Sequence, residues 1–176
     1  MYPVFRTALV LRSEGRKPRL SPLDPHELSL RCWPVDIDMF LEMNNGRVLT
    51  LYDLGRFGLS ARVGLMQVLK REGWGLVVAG ASIRYRARIM GLQRFTLRTR
   101  LLGWDARFFY FDQSMWRGET CCNQALVRTG VTEKGRLLGS DRVAAAMGSD
   151  PASPDLPEWV RAWAEADSTR PWPPRG

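Results

Sequence analysis

From residue 76 to residue 132 apolar and polar positions alternate along the chain. In "LVVAGASIRYRARIM" (76–90), Val77, Ala79, Ala81, Ile83, Tyr85, Ala87 and Ile89 fall on one parity. Ser82, Arg84, Arg86 and Arg88 fall on the other. A period of two marks a half-buried strand, because successive side chains leave opposite faces. In "FTLRTRLLGW" (95–104), Phe95, Leu97, Thr99 and Leu101 oppose Thr96, Arg98 and Arg100. "RFFYFDQSMW" (107–116) follows after a short Asp105-Ala106 turn, and "TCCNQALVRTGVT" (120–132) after Arg117-Gly118. In order, these segments predict four long antiparallel strands in a meander.

Upstream the period changes. Val48, Leu49, Leu51, Tyr52, Leu54 and Phe57 recur at helical spacing and form a broad apolar face. Asn44 or Asn45 fits the N-cap of this helix. A break is expected near Ser60, then a second helix to about Arg71, closed by Gly73 and Gly75. Gly55 and Gly58 lie inside the helical pattern, where each costs ~1 kcal/mol relative to alanine. That cost is tolerated where backbone must approach another surface, here a sheet. Before the helix, "ELSLRCWPVDID" (27–38) reads as a strand that Pro34 ends or bulges. Residues 1–27, with Pro18, Pro22 and Pro25, read as irregular, their first part at most a short amphipathic helix. From Met147 the composition turns to proline and tryptophan. Pro157 suits a first helical turn, with Trp159 and Trp163 one turn apart. The expected organisation is an N-terminal extension (1–26), one α+β domain (27–146) and an aromatic tail with a short helix (147–176) that packs on the body or on a partner subunit.

Composition narrows the chemistry. A chain of 176 residues with 45% hydrophobic content can build one real core. No window reaches the ~18 apolar residues of a membrane span. The apolar start is interrupted by Arg6 and Arg12 with no small-residue cleavage site after it, so a cytoplasmic protein not associated with membranes is expected. Cys32, Cys121 and Cys122 form neither a disulfide framework nor a zinc motif. His26 is the one histidine, which removes multi-histidine metal sites and any convincing Ser-His-Asp set. Phosphate loops of the GxGxxG or GxxxxGK[ST] kind are missing. The net charge of +8 draws polyanions, yet no interleaved aromatic and basic motif suggests nucleic acid. Acid–base or nucleophilic work, if there is any, falls to carboxylates.

The richest carboxylate cluster is "VDIDMFLEMNNGR" (35–47), with Asp36, Asp38 and Glu42 just before two amides and a helix start. Two readings stand on the residues alone. The acids stabilise the helix dipole, worth ~0.3–1 kcal/mol, or one of them faces a substrate held at the helix N-terminus. Likewise Arg84, Arg86, Arg88, Arg98 and Arg100 are either a phosphate-binding patch or the solvated face of a sheet.

The motif D-x-D-x-x-x-x-M-N-N at 36–45, "LTLYDLGR" after it and the long "WGLVVAGASIRYRARI" resemble the hotdog-fold acyl-CoA thioesterases of the 4-hydroxybenzoyl-CoA thioesterase type, in particular their THEM6-like branch. The likeness spans roughly residues 27 to 143. It implies a long central helix wrapped by an antiparallel β-sheet, and hydrolysis of an acyl-CoA thioester to free acid and coenzyme A. It also implies no metal or organic cofactor, and a homodimer or dimer of dimers. By this resemblance Asp38 takes the catalytic carboxylate's role, as base or nucleophile, and the backbone N–H of Asn45 polarises the carbonyl. Asn44, Gly46, Asp53 and Arg84 complete the candidate substrate-binding set, with no metal ligand among them. The chain departs from the pattern where relatives often carry Gly-His, here Leu41-Glu42, and a tyrosine, here Val48. Those departures leave a non-catalytic acyl-CoA or lipid-binding module as the alternative. Hotdog dehydratases use a histidine near the central helix, and His26 lies well before it.

Overall fold

The computed structural model describes residues 3–174. Helix α1 (Val4–Glu14) leads to strand β1 (His26–Arg31), then to the long helix α2 (Asn45–Val63) and the shorter α3 (Leu65–Glu72). Strands β2 (Gly75–Tyr85), β3 (Arg94–Trp104), β4 (Phe109–Arg117) and β5 (Thr120–Glu133) follow. A two-residue strand β6 (Arg136–Leu137), helix α4 (Ser140–Ala146) and helix α5 (Glu158–Ser168) close the chain.

The four long strands stand where the alternation places them, but they do not form a simple meander. The sheet order is β1-β3-β4-β5-β2, all antiparallel, with β6 on β5. Strand β2 pairs with β5 rather than with its neighbour β3, and β1 takes the far edge beside β3. Parity within β2 is also corrected. A bulge between Val78 and Gly80 inserts one residue. Leu76 and Val78, opposite Val131 and Thr129, therefore share the inner face with Ala81 and Ile83, where strict alternation assigns Val77 and Ala79. Strand β2 ends at Tyr85, short of Ile89.

Helix α2 begins at Asn45 because Asn44, in extended conformation, caps it. It runs past the expected break at Ser60 and stops at Gly64, whose φ of 86° only glycine adopts freely. The sheet curls around it. Leu51, Tyr52 and Leu54 bury completely against Leu97, Met115, Ala125 and Val127. The two interior glycines make this approach possible. A Cβ on Gly55 would lie 2.3 Å from Thr99 Oγ1, and one on Gly58 would lie 2.6 Å from His26 Cε1.

The first part of the N-terminal segment forms a helix, in line with the amphipathic reading, and residues 15–25 carry no regular element. Helix α1 packs on α2 and is pinned by charge: Glu14, buried, meets Lys17 (2.6 Å), His26 Nε2 (3.0 Å) and Arg62 (3.3 Å). On the outer face of the sheet, α5 buries Val160 against Tyr110 and Leu126. The aromatic tail thus packs on the body.

Candidate active site

Residues 36 to 44 form a miniature hairpin that ends at the start of α2. The Asn44 N–H donates to the Asp36 carbonyl (2.9 Å), Ile37 bridges Met43, and the Asp38 N–H donates to the Glu42 carbonyl (2.9 Å). At the tip, the Leu41 N–H donates to the Asp38 carbonyl (3.1 Å), and Leu41 adopts a φ of 61°. This is the position where the resemblance expects glycine; a leucine there is strained. Asp38 Oδ1 accepts the Phe40 N–H (2.8 Å), an Asx turn that fixes the carboxylate at the tip. At the open end, Asn44 Oδ1 accepts the N–H groups of Gly46 (2.9 Å) and Arg47 (3.2 Å). The Asn45 N–H is left without an acceptor among the described residues. A helix N-terminus with an uncommitted donor attracts a developing negative charge.

The three acids of the loop have separate fates. Asp36 is fully buried. Its Oδ2 accepts from Arg6 (2.8 Å) and from the Trp33 N–H (2.8 Å), and its Oδ1 faces Arg47 Nε at 3.1 Å. Arg6 also donates to the Arg31 carbonyl (2.9 Å), so α1 braces the loop from outside. Glu42 pairs with Arg88 (2.8 Å) and its backbone bridges Met90, tying the loop to the chain beyond β2. Asp38 is half-buried, and among the described residues it meets no cation. Within that set it alone of the three is not committed to an ion pair.

Asp53 sits two turns into α2, away from the loop. It lines an apolar cavity of about 250 Å³ between α2, the inner sheet face and α4, with Phe57, Leu76, Val78, Phe111, Val131 and Met147 among its walls. Arg56 bridges Asp53 to the side-chain oxygen of Gln113. Gln113, fully buried, in turn donates to the Tyr52 carbonyl (2.9 Å) and to Thr99 Oγ1 (2.9 Å). Burial pushes the Asp53 carboxyl above its ordinary range, and Arg56 only partly opposes this.

The structure thus gathers Asp38, Asn44, Asn45 and Gly46 at one end of α2 and sets Asp53 beside a cavity. It does not bring Arg84 to either. Arg84 lies on the outer face of the sheet, with Ser82, Arg100 and Gln124. Sequence reasoning missed Arg56 and Gln113. Gln113 does leave a signal, as the one amide between Phe111 and Met115 on the inward parity of β4. The cysteines are poor nucleophiles. Burial, then the Asp36 charge, pushes the Cys32 thiol up to about 11, and burial raises Cys121 and Cys122.

A helix gripped by a curled antiparallel sheet, with its free N-terminus beside a carboxylate turn, defines a hotdog-fold, thioesterase-like protein. Residues 32–164 match the model of the thioesterase-like superfamily, and the chain belongs to that family. Protein THEM6 of Xenopus laevis is 33% identical over 163 residues, covering 90% of this chain and 77% of that protein. Among solved structures, the probable thioesterase YbaW from Escherichia coli superposes with a TM-score of 0.64 at 14% identity, over 69% of this chain and 95% of that one. The DHNA-CoA thioesterase from Staphylococcus aureus gives 0.61 at 10% identity, over 82% and 91%. Among the described residues, no helix is long and apolar enough to cross a membrane.

Proposed function

We propose that this protein hydrolyses an acyl-coenzyme A thioester to free acid and coenzyme A. The observation that carries the reading is the Asp38 turn next to the uncommitted Asn45 N–H at the start of α2. In this scheme the thioester carbonyl accepts from the Asn45 N–H, and Asn44 and Gly46 hold that end of the helix open. The helix dipole and the donor stabilise the oxyanion, a contribution of ~3 kcal/mol in other acyl-transfer sites. As a base, Asp38 takes a proton from water as the water adds, and the C–S bond breaks as that proton passes to the sulfur, which leaves as thiol. As a nucleophile, Asp38 adds to the carbonyl, the C–S bond breaks to give an acyl-aspartyl anhydride and a thiolate, and water then hydrolyses the anhydride, its released proton going to the thiolate. The acyl chain lies in the apolar cavity beside α2. No metal or organic cofactor takes part.

Asp53 supports a second assignment within the same reaction. It is a carboxyl that lines the cavity, and burial raises its pKa above the ordinary carboxylate range, which makes it a stronger base. A homodimer fits the exposed edge of β2, where Leu76, Val77 and Val78 stay open to solvent in the single chain.

Steady-state thiol release from a panel of acyl-CoAs, for wild type, Asp38→Asn and Asp53→Asn, tests both assignments. A loss of ~100-fold or more in kcat is expected for the carboxylate that acts. Loss in Asp38→Asn alone supports the leading assignment, and loss in Asp53→Asn alone moves the role to the helix. Wild type that binds coenzyme A but turns over no ester refutes hydrolysis in favour of a binding module.

A further inference from the structure

The face of the sheet opposite α2 carries a second concavity, of about 480 Å³, within the ~300–1,000 Å³ of small-molecule sites. Its floor crosses four strands: Arg100 on β3, Asp112 on β4, Gln124 and Leu126 on β5, Ser82 and Arg84 on β2. Its wall is one side of α5, with Trp159 and Trp163.

The groove is built rather than incidental. Trp163 is seated by glycine: a Cβ on Gly80 would stand 3.2 Å from its ring. Arg128 stacks on the same ring at 5.1 Å and is held by Asp167 at 2.7 Å. One turn earlier, Trp159 is 48% exposed and overhangs the groove. On the floor, the Gln124 amide donates to Asp112 Oδ1 (2.8 Å). Arg100 reaches Asp112 only at 3.5 Å, and Arg84 has no ion-pair or hydrogen-bond partner among the described residues. Two guanidinium groups against one carboxylate leave the groove positive. Arg100 and Arg84 stand on strands three intervals apart, about 14 Å at ~4.8 Å per interval.

We infer that this groove binds a nucleotide. An open indole face stacks on a base, as tryptophan does in nucleotide-binding grooves generally. Weakly committed arginines take phosphate oxygens by charge-assisted hydrogen bonds. Asp112, Gln124 and Ser82 offer the acceptor and donors that read the edge of a base or a ribose. Two arginines on opposite sides of the groove suit a nucleotide phosphorylated at two positions. Such a ligand is either a free nucleotide or the 3′-phosphorylated ADP end of coenzyme A. The coenzyme A source rests on the thioesterase reading above; the groove itself does not.

The test is titration of the full chain with adenosine 3′,5′-bisphosphate and with ADP, by calorimetry and by quenching of tryptophan fluorescence. Wild type is compared with Arg84→Gln and Trp159→Ala, both at surface positions that leave the core intact. Saturable binding is expected, weakened roughly 10–100-fold by Arg84→Gln, the loss of one charged hydrogen-bond partner. Trp159→Ala is expected to weaken it and to remove most of the quenching. No saturable binding up to millimolar nucleotide, or binding that neither substitution changes, overturns the proposal. The source follows from kinetics on any active ester. If Arg84→Gln raises KM for acyl-CoA more than for the matching acyl-pantetheine, the groove holds the substrate's nucleotide. Equal KM values together with Arg84-dependent binding of bisphosphate assign it to a free nucleotide. Should no ester turn over, the titrations still decide the groove.

Discussion

Gly55→Ala tests the close approach of helix and sheet on which the whole site depends. In an isolated helix this change is favourable by ~1 kcal/mol. Here the added Cβ would stand 2.3 Å from Thr99 Oγ1, 2.9 Å from Gln113 Nε2 and 3.0 Å from Leu97 Cδ2. None of these neighbours can yield cheaply, since Leu97 and Gln113 are fully buried and Thr99 nearly so. Overpacking of a filled core costs ~1–3 kcal/mol. Pushing Gln113 away also strains its bonds to Thr99 and the Tyr52 carbonyl, at ~1–3 kcal/mol if a buried donor is orphaned. The net expectation is a destabilisation of ~2–3 kcal/mol, or a Tm lower by roughly 5–10 °C for a chain of this size. Urea unfolding followed by circular dichroism, with Thr99→Ala and the double variant completing the cycle, measures it. The double variant should recover part of the loss, because Thr99→Ala removes the nearest atom. A Gly55→Ala protein as stable as wild type, or more so, would refute the packing argument.

Other expectations follow from the same geometry. Leu41→Gly should stabilise the fold by ~0.5–1 kcal/mol, since it relieves a leucine held at positive φ at the price of a looser unfolded chain; a lower urea midpoint contradicts this. Asp36→Asn leaves Arg6 and Arg47 facing an uncharged group and should cost ~3 kcal/mol or more, read by thermal melting. Stability should fall on acidification in two stages. Burial holds His26 below the ordinary imidazole range, against the pull of Glu14, and among the described residues its Nδ1 has no partner to receive a proton's bond. The unfolded chain therefore takes up a proton below ~6.5 that the folded chain refuses. Burial raises the Glu14 carboxyl, but its bonds from Lys17, His26 and Arg62 outweigh that and hold it low. Its contribution is present above the ordinary value of ~4.3 and is lost as pH falls further. His26→Gln should flatten the upper stage of a Tm–pH curve and leave the lower one; an unchanged upper stage contradicts the neutral histidine.

The sequence by itself determined most of the elements, because their periodicities are local. The inward stripe Phe95, Leu97, Thr99 and Leu101 is buried as its parity demands, and Gly55 and Gly58 mark a close contact before any sheet is seen. The candidate loop was legible for the same reason. Asp38 and Asn45 lie seven residues apart, joined by one short hairpin, so proximity along the chain becomes proximity in space. What the tertiary structure decided is everything that depends on long-range pairing. Alternation says that β2 is a strand but not that β5 is its neighbour, and it is blind to a bulge that shifts parity by one. The first part of the N-terminal segment reads as at most a short amphipathic helix because that helix is held by Arg6, Glu14 and their distant partners rather than by its own pattern. The Asp53-Arg56-Gln113 link spans 57 residues between Arg56 and Gln113. Arg84 falls on the outer face because pairing with β5 sets it opposite Gln124. Local patterns fix which faces a segment has; only the closed fold fixes what each face meets.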